Sequence, residues 1–219
     1  MAHTTTDIRN ICLVGPGNAG KTQLTEALLH AGGAIPHCGS VEKGDTVSDF
    51  NAREKQDVHS LYPSVCHFDH AGIHVNLIDT PGYRDFSGRA LSVMPAVETA
   101  AIVLNAQSGV EEVARRMMEA AKAQRLCRMI IVNKIDAENI NLETLVNDIR
   151  EAFGTECLPI NLPAEGLSTV RDCFFGTEGE TDVFSLAEAH ESIIDQVVET
   201  NEALMEKRSE EHTSELQSQ

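Results

Sequence analysis

Short aliphatic and β-branched runs alternate with segments of helical periodicity along the first two-thirds of the chain. Residues 7–14 (DIRNICLV) form the first run, and 64–69, 73–79, 100–105 and 129–133 are the others. Near-continuous apolar runs of this length fit strands whose two faces are both covered. Lys21–Ala31 carries the 3.6-residue pattern and stops at Gly32-Gly33, a helix end. The runs at 64–69 and 73–79 flank His70-Ala71-Gly72 and predict a hairpin. Further helices are predicted over 85–94, 109–126 and 141–152. Five strands with interleaved helices predict an α/β fold: a mostly parallel sheet, helices on both faces and right-handed crossovers. An all-helical chain would leave the short Val/Ile-rich runs unexplained.

The character changes after Gly154. Residues 157–162 and 169–175 are candidate strands, and an acidic, glycine-bearing loop at about 165–182 separates the elements of this region. Residues 185–207 predict an acidic amphipathic helix with Ile193, Ile194, Val197, Val198 and Leu204 on its apolar side. The expected organisation is a core over 1–153 and a small α+β insertion beginning at 154–207. The tail 208–219 lacks hydrophobic periodicity. It resembles the translation of a sequencing-library adapter and is set aside as non-native.

Composition narrows the class. Of 219 residues, 42% are hydrophobic and 23% charged, a globular balance. Residues 1–110 carry 11 acidic and 7 basic side chains, and the remainder 23 and 10, within a net charge of -17. No cationic stripe exists to displace phosphate counterions, so direct duplex nucleic-acid binding is not expected. No apolar run approaches the ~20 residues of a membrane span. The start shows no secretory signal, and six scattered cysteines without a C-x-x-C pair fit a reducing cytoplasm.

Three motifs carry chemistry. The first strand runs into Gly15-Pro16-Gly17-Asn18-Ala19-Gly20-Lys21-Thr22, G-x-x-x-x-G-K-[ST] between a strand and a helix. Backbone N–H groups of Gly15, Asn18, Ala19 and Gly20 and the helix start would cradle phosphates. Lys21 would reach the outer phosphates, and the Thr22 hydroxyl would ligate Mg²⁺. The third strand ends in Asp79-Thr80-Pro81-Gly82. Asp79 would support the Mg²⁺ from its outer shell, and the Gly82 N–H would meet a terminal phosphate. The fifth strand ends in Asn133-Lys134-Ile135-Asp136. Asp136 would accept from guanine N1–H and N2–H₂, Asn133 would bridge to the phosphate loop, and the Lys134 stem would cover the base. Taken singly, the second and third motifs are weak; their order and spacing together make the signal specific.

These motifs, with 39–50 (GSVEKGDTVSDF), 75–86 (VNLIDTPGYRDF) and 100–136, resemble the GTP-binding domain of translational GTPases, particularly the elongation factor G and G-like branch. The resemblance covers about residues 7–207. It implies GTP/GDP and Mg²⁺ as cofactors, GTP hydrolysis, and a cytoplasmic monomer that works on the ribosome. It also implies that the insertion, the last core strand and helix and all later domains continue beyond this chain. Residues 1–219 alone would then be poorly soluble or bind GTP weakly. A GTP-binding sensor with little hydrolysis, or a ribosome-protection or recycling factor, remains open on the same scaffold.

The chain departs from the family pattern at several positions. The first switch normally reads R-G-I-T-I; here it is Asp57-Val58-His59-Ser60-Leu61, so Ser60 stands where the family's Mg²⁺-binding threonine does. The second switch normally ends D-T-P-G-H, and Tyr83 stands in place of the water-positioning histidine. The catalytic set expected is therefore Tyr83, Gly82 and Lys21, with hydrolysis slow or differently activated. His59 falls at an apolar gate position and is a candidate to supply the missing group. Asn18 sits where potassium-activated GTPases hold K⁺, with a simple loop role preferred. Cys66, His67, His70 and His74 straddle the hairpin, and alternation argues against one metal site there.

Overall fold

The first apolar run becomes β1, Ile8–Val14, with Cys12, Leu13 and Val14 buried. Asp7, expected in this strand, instead closes a 3-10 turn, Thr5–Asp7. Its carboxylate accepts from the Thr4 N–H at 3.2 Å and the Thr4 hydroxyl at 2.6 Å, a local bond that competes with strand pairing. The computed structural model describes residues 3–199. They fall into two compact units, one through Ile140 and one from Asn141.

In the first unit, α1 (Lys21–Ala31) and the short α2 (Ala52–Asp57) precede the hairpin of β2 (Ser64–His70) and β3 (Ile73–Asp79). The predicted helix over 85–94 is broken. A 3-10 turn at Arg84–Phe86 leads into α3 (Ser87–Val93), and a second turn, Met94–Ala96, contains Pro95, which has no N–H to continue the ladder. β4 (Thr99–Asn105), α4 (Glu112–Ala123) and β5 (Cys127–Asn133) complete the unit.

The sheet order is β2-β3-β1-β4-β5, with β2 antiparallel to β3 and every other pair parallel. In β4, Ala100 through Leu104 are all buried. Successive side chains point to opposite faces, so both faces must be covered. Leu24 and Leu28 of α1 pack on Leu13, Leu77, Ala101 and Val103. On α4, Ala114, Met117, Met118 and Ala121 are buried, an i, i+3, i+4, i+7 stripe against β4 and β5. Burial of one such methionine contributes about 1.5–3 kcal/mol. This packing fixes the carboxyl ends of β1, β3 and β5, where the three motifs sit.

Helix α2 lacks apolar periodicity, which is why hydrophobic patterning misses it. Its signal is a capping box: the Asn51 side chain accepts from the Arg53 N–H at 3.0 Å, and Glu54 reaches back to the Asn51 N–H at 3.3 Å.

The second unit holds α5 (Leu142–Phe153), β6 (Asn161–Ala164), β7 (Thr169–Asp172) and α6 (Leu186–Glu199). Asn141 caps α5 by accepting from the Thr144 N–H at 3.0 Å. β6 and β7 form a two-stranded antiparallel ribbon. The predicted strand over 169–175 ends early because the Asp172 carboxylate accepts from the Phe174 N–H at 2.6 Å and the Phe175 N–H at 3.3 Å, an Asx turn. Leu162, Cys173, Leu186, Ala189 and Ile193 form this unit's core, with Leu158 and Phe184 against it. The helix predicted to 207 is α6 as far as Glu199. Its remainder and the tail 208–219 lie outside the described residues.

Candidate nucleotide site

The loop between β1 and α1 takes a backbone course that few residues tolerate. Gly15 has φ +136, and a Cβ there would lie 2.4 Å from the Val103 carbonyl oxygen. Gly20 has φ +88, and a Cβ would lie 2.4 Å from Asn133 Nδ2. Both positions need glycine. Asn18 is left-handed at φ 60, a conformation asparagine tolerates better than most residues. Lys21 is buried, and its Nζ donates to the carbonyls of Gly15 at 3.0 Å and Pro16 at 2.7 Å. Burial pushes this ammonium down to about 8, against the opposing charges of Asp79 and Glu111.

Asp79 ends β3 directly below this loop. Its Oδ2 accepts from the Thr22 hydroxyl at 2.7 Å, and Thr22 Oγ1 lies 3.1 Å from Ser60 Oγ. The three residues expected around Mg²⁺ are therefore joined in one hydrogen-bonded chain. Desolvation pushes the Asp79 carboxyl up to about 6, opposed by the Thr22 hydroxyl and the Lys21 charge. Thr80 Oγ1 anchors the turn by donating to the Leu13 carbonyl at 2.6 Å. Gly82 then presses on the phosphate loop: a Cβ there would lie 2.3 Å from Lys21 Nζ and 2.5 Å from the Pro16 oxygen.

Motif reading missed Asp49. It is 3% exposed, acts electrostatically on Asp79, and its carboxyl is raised by burial, with the Ser60 hydroxyl opposing. Asp49 Oδ2, Asp79 Oδ1 and Ser48 Oγ are all buried without a hydrogen-bond partner. Unpartnered buried oxygens are costly, and this hard oxygen set fits Mg²⁺. The only sequence signal was an aspartate and a serine inside residues 39–50, a segment that resembles the family.

The segment expected as the first switch is fastened to the fold by buried and stacked groups. Glu54 is buried, and its Oε1 accepts from the N–H groups of Leu61 at 2.9 Å and Tyr62 at 3.0 Å, just after Ser60. Arg89 donates to the Leu61 carbonyl, and its guanidinium lies 4.1 Å from the Tyr62 ring centroid. Glu26 of α1 is fully buried and accepts from the N–H groups of Gly39 at 2.9 Å and Val47 at 2.6 Å. Replacing Glu54 by alanine leaves the two partly covered N–H groups of Leu61 and Tyr62, beside Ser60, without their carboxylate partner. The expected cost is about 1.5–3 kcal/mol, read by chemical denaturation. Amide exchange at Leu61 and Tyr62 should accelerate more than exchange in β1; uniform acceleration would mean that Glu54 does not hold this loop.

Tyr83 is 42% exposed, and its ring lies 3.5 Å from where a Gly17 Cβ would be. The His59 ring meets Tyr83 edge-on at 4.6 Å between centroids and stacks near Phe86 at 6.2 Å. The His59 Nδ1 is 2.8 Å from the Asp57 carbonyl oxygen. The two expected switches thus touch through these rings. On the base side, Asn133 Nδ2 donates to the Ala19 carbonyl at 2.9 Å, tying the third motif to the first. Lys134 takes a left-handed turn at φ 59, and Lys134 and Asp136 are both exposed.

A glycine-rich loop entering a helix, an acidic strand end beneath it and an N-K-x-D loop beside it, all at the carboxyl ends of a mostly parallel sheet, define a P-loop nucleotide-binding α/β domain. Residues 6–215 match the elongation factor Tu GTP binding domain family, and the chain belongs to this family of GTPases. The elongation factor G-like proteins of two Mycobacterium tuberculosis strains, CDC 1551 / Oshkosh and ATCC 25618 / H37Rv, are each 33% identical over 218 residues. Each match covers 91% of this chain and 30% of the relative. A crystal structure from Thermus thermophilus is similar with a TM-score of 0.83 at 32% identity, over 93% of this chain and 33% of that one. The chain thus spans about a third of the length of the relatives it matches. Among the described residues, no helix is long and apolar enough to cross a membrane.

Proposed function

We propose that this chain is the part of an elongation factor G-like translational GTPase that binds GTP and GDP, hydrolyses GTP and couples the two nucleotide states to work on the ribosome. The observation that carries the reading is the Asp79–Thr22–Ser60 chain at 2.7 and 3.1 Å. It joins the phosphate loop to both switches at a cluster of unpartnered oxygens. In this reading Thr22 and Ser60 hold Mg²⁺, with Asp79 and Asp49 acting from behind. The ion, when bound, neutralises charge on the phosphate oxygens. Lys21 and the loop amides hold the phosphates, the Gly82 N–H meets the terminal phosphoryl group, and Asn133 and Asp136 select guanine. Loss of the terminal phosphate releases the two switches. The left-handed backbone at Asn18 supports a loop role for this residue, and K⁺ stays the secondary reading there. The proposed layout is a core over 1–153 with an insertion beginning at 154, in a cytoplasmic monomer whose partner is the ribosome.

A reading with little hydrolysis has one observation in its favour, Tyr83 at the water-positioning place. Single-turnover phosphate release with ribosomes separates the two, because a binding-only module releases none above background. A ribosome-protection or recycling role shares the same nucleotide chemistry, and trials of the complete protein in translocation and subunit-splitting assays would separate it.

The site also has a pH signature. Asp79 is raised to about 6, so its folded-state value lies above the ordinary carboxylate value. Below about 6 the folded protein holds a proton that Mg²⁺ must displace. Apparent Mg²⁺ affinity should be level above pH 7 and fall about tenfold per unit below 6, one proton exchanged per ion. Mg²⁺ titration of a fluorescent GDP complex between pH 5 and 8 measures this, and a flat profile would remove Asp79 from the ion's surroundings.

A further inference from the structure

On the strand pair away from the nucleotide loops, a second group of ligating side chains converges. The β2–β3 register sets Asp69 directly opposite His74, so both point to one face. His67, two residues before Asp69, shares that face, whereas Cys66 and His70 alternate to the other. The parallel register of β1 sets Ile8 beside His74, and the segment before β1 brings in His3. His74 Nδ1 lies 2.7 Å and His3 Nε2 3.4 Å from the same Asp69 oxygen. One ligand atom from each of His3, Asp69 and His74 falls within 4.8 Å of the other two. The His3 and His67 rings lie 4.8 and 5.4 Å from the His74 ring, centroid to centroid.

We propose that His3, Asp69 and His74 form a binding site for a divalent transition cation of the zinc type, with His67 beside it as a fourth ligand and third nitrogen donor. Zinc bonds of ~2.0–2.1 Å in tetrahedral array set ligand atoms about 3.4 Å apart. The His3–Asp69 separation already has that value, and the His74–Asp69 pair needs to open by about 0.7 Å as an ion replaces the shared proton. Two or three imidazoles with one carboxylate select zinc, copper or nickel over Mg²⁺, which prefers oxygen. The site is thus chemically distinct from the nucleotide's cation site. Its occupant would fasten the segment before β1 to the hairpin whose second strand carries Asp79.

The test uses the full-length protein that contains this chain, with Cys38 and Cys127, the exposed thiols of this chain, changed to serine to remove rival ligands. Zn²⁺ is titrated against a chromogenic chelator in the presence of Mg²⁺. One Zn²⁺ per chain is expected, undiminished by millimolar Mg²⁺ and at least tenfold weaker in His74→Ala and His3→Ala. Zn²⁺ should also raise the melting temperature of the parent but not of these variants. His3 precedes the first strand, so His3→Ala keeps the test valid where His74→Ala fails to fold. The inference is overturned by no stoichiometric binding, or by binding that survives both substitutions.

Discussion

Placing histidine at position 83 is expected to raise ribosome-stimulated GTP hydrolysis by about 10²–10⁴-fold, the usual worth of a positioned acid–base group. That range corresponds to about 2.7–5.4 kcal/mol off the barrier. Tyr83 immediately follows Gly82, which lies against Lys21 and the phosphate loop, and its ring covers Gly17. In the proposed reading this position orients water on a terminal phosphate, but a phenol has a different reach and no basic nitrogen. The nearest imidazole is His59, 4.6 Å from the Tyr83 ring between centroids. If His59 supplies the missing group, His59→Ala slows the parent and leaves Tyr83→His almost unaffected. The measurement is single-turnover phosphate release in the full-length context, with GDP affinity as the control that the fold is intact. Equal rates in the parent, the two single variants and the double variant would end the idea that either side chain positions water.

How far each feature could be read in advance depends on how local its cause is. The sheet was legible because β4 and the second half of β1, Cys12–Val14, are buried on both faces and so read as apolar runs, and α4 because it shows one stripe. Motif residues were legible because phosphate approach demands glycine at positions 15, 20 and 82, and each has a neighbour that a side chain would strike. The features that escaped depend on individual polar bonds, which leave no periodic trace. Helix α2 rests on a cap, the end of β7 on one Asx turn, and the hold on Ser60 on Glu54 and Arg89. Asp49 lay inside a segment that resembles the family but drew no role from it, because its importance lies in burial near Asp79, 30 residues on. His3 and Asp69 come together with His74 only through strand register.

Changing Asp136 to asparagine is expected to weaken GDP and GTP binding by about 10–150-fold and to transfer preference to xanthine nucleotides. A carboxylate accepts from both guanine N1–H and N2–H₂, and one bond to a charged group contributes about 1.5–3 kcal/mol. Asparagine keeps one acceptor for N1–H but turns its NH₂ toward the guanine amino group, donor against donor. Xanthine carries a carbonyl at that carbon, so the same NH₂ finds an acceptor. Adenine stays excluded in both forms, because its N1 is a lone pair where guanine has a proton. Asp136 is exposed and ends the loop begun by Asn133, whose bond to the Ala19 carbonyl is untouched. Thermal stability should therefore be unchanged, which separates this result from unfolding. Competition of GDP, xanthosine diphosphate and ADP against a fluorescent nucleotide gives the readout. A uniform loss for all three would mean that Asp136 supports the loop and does not read the base.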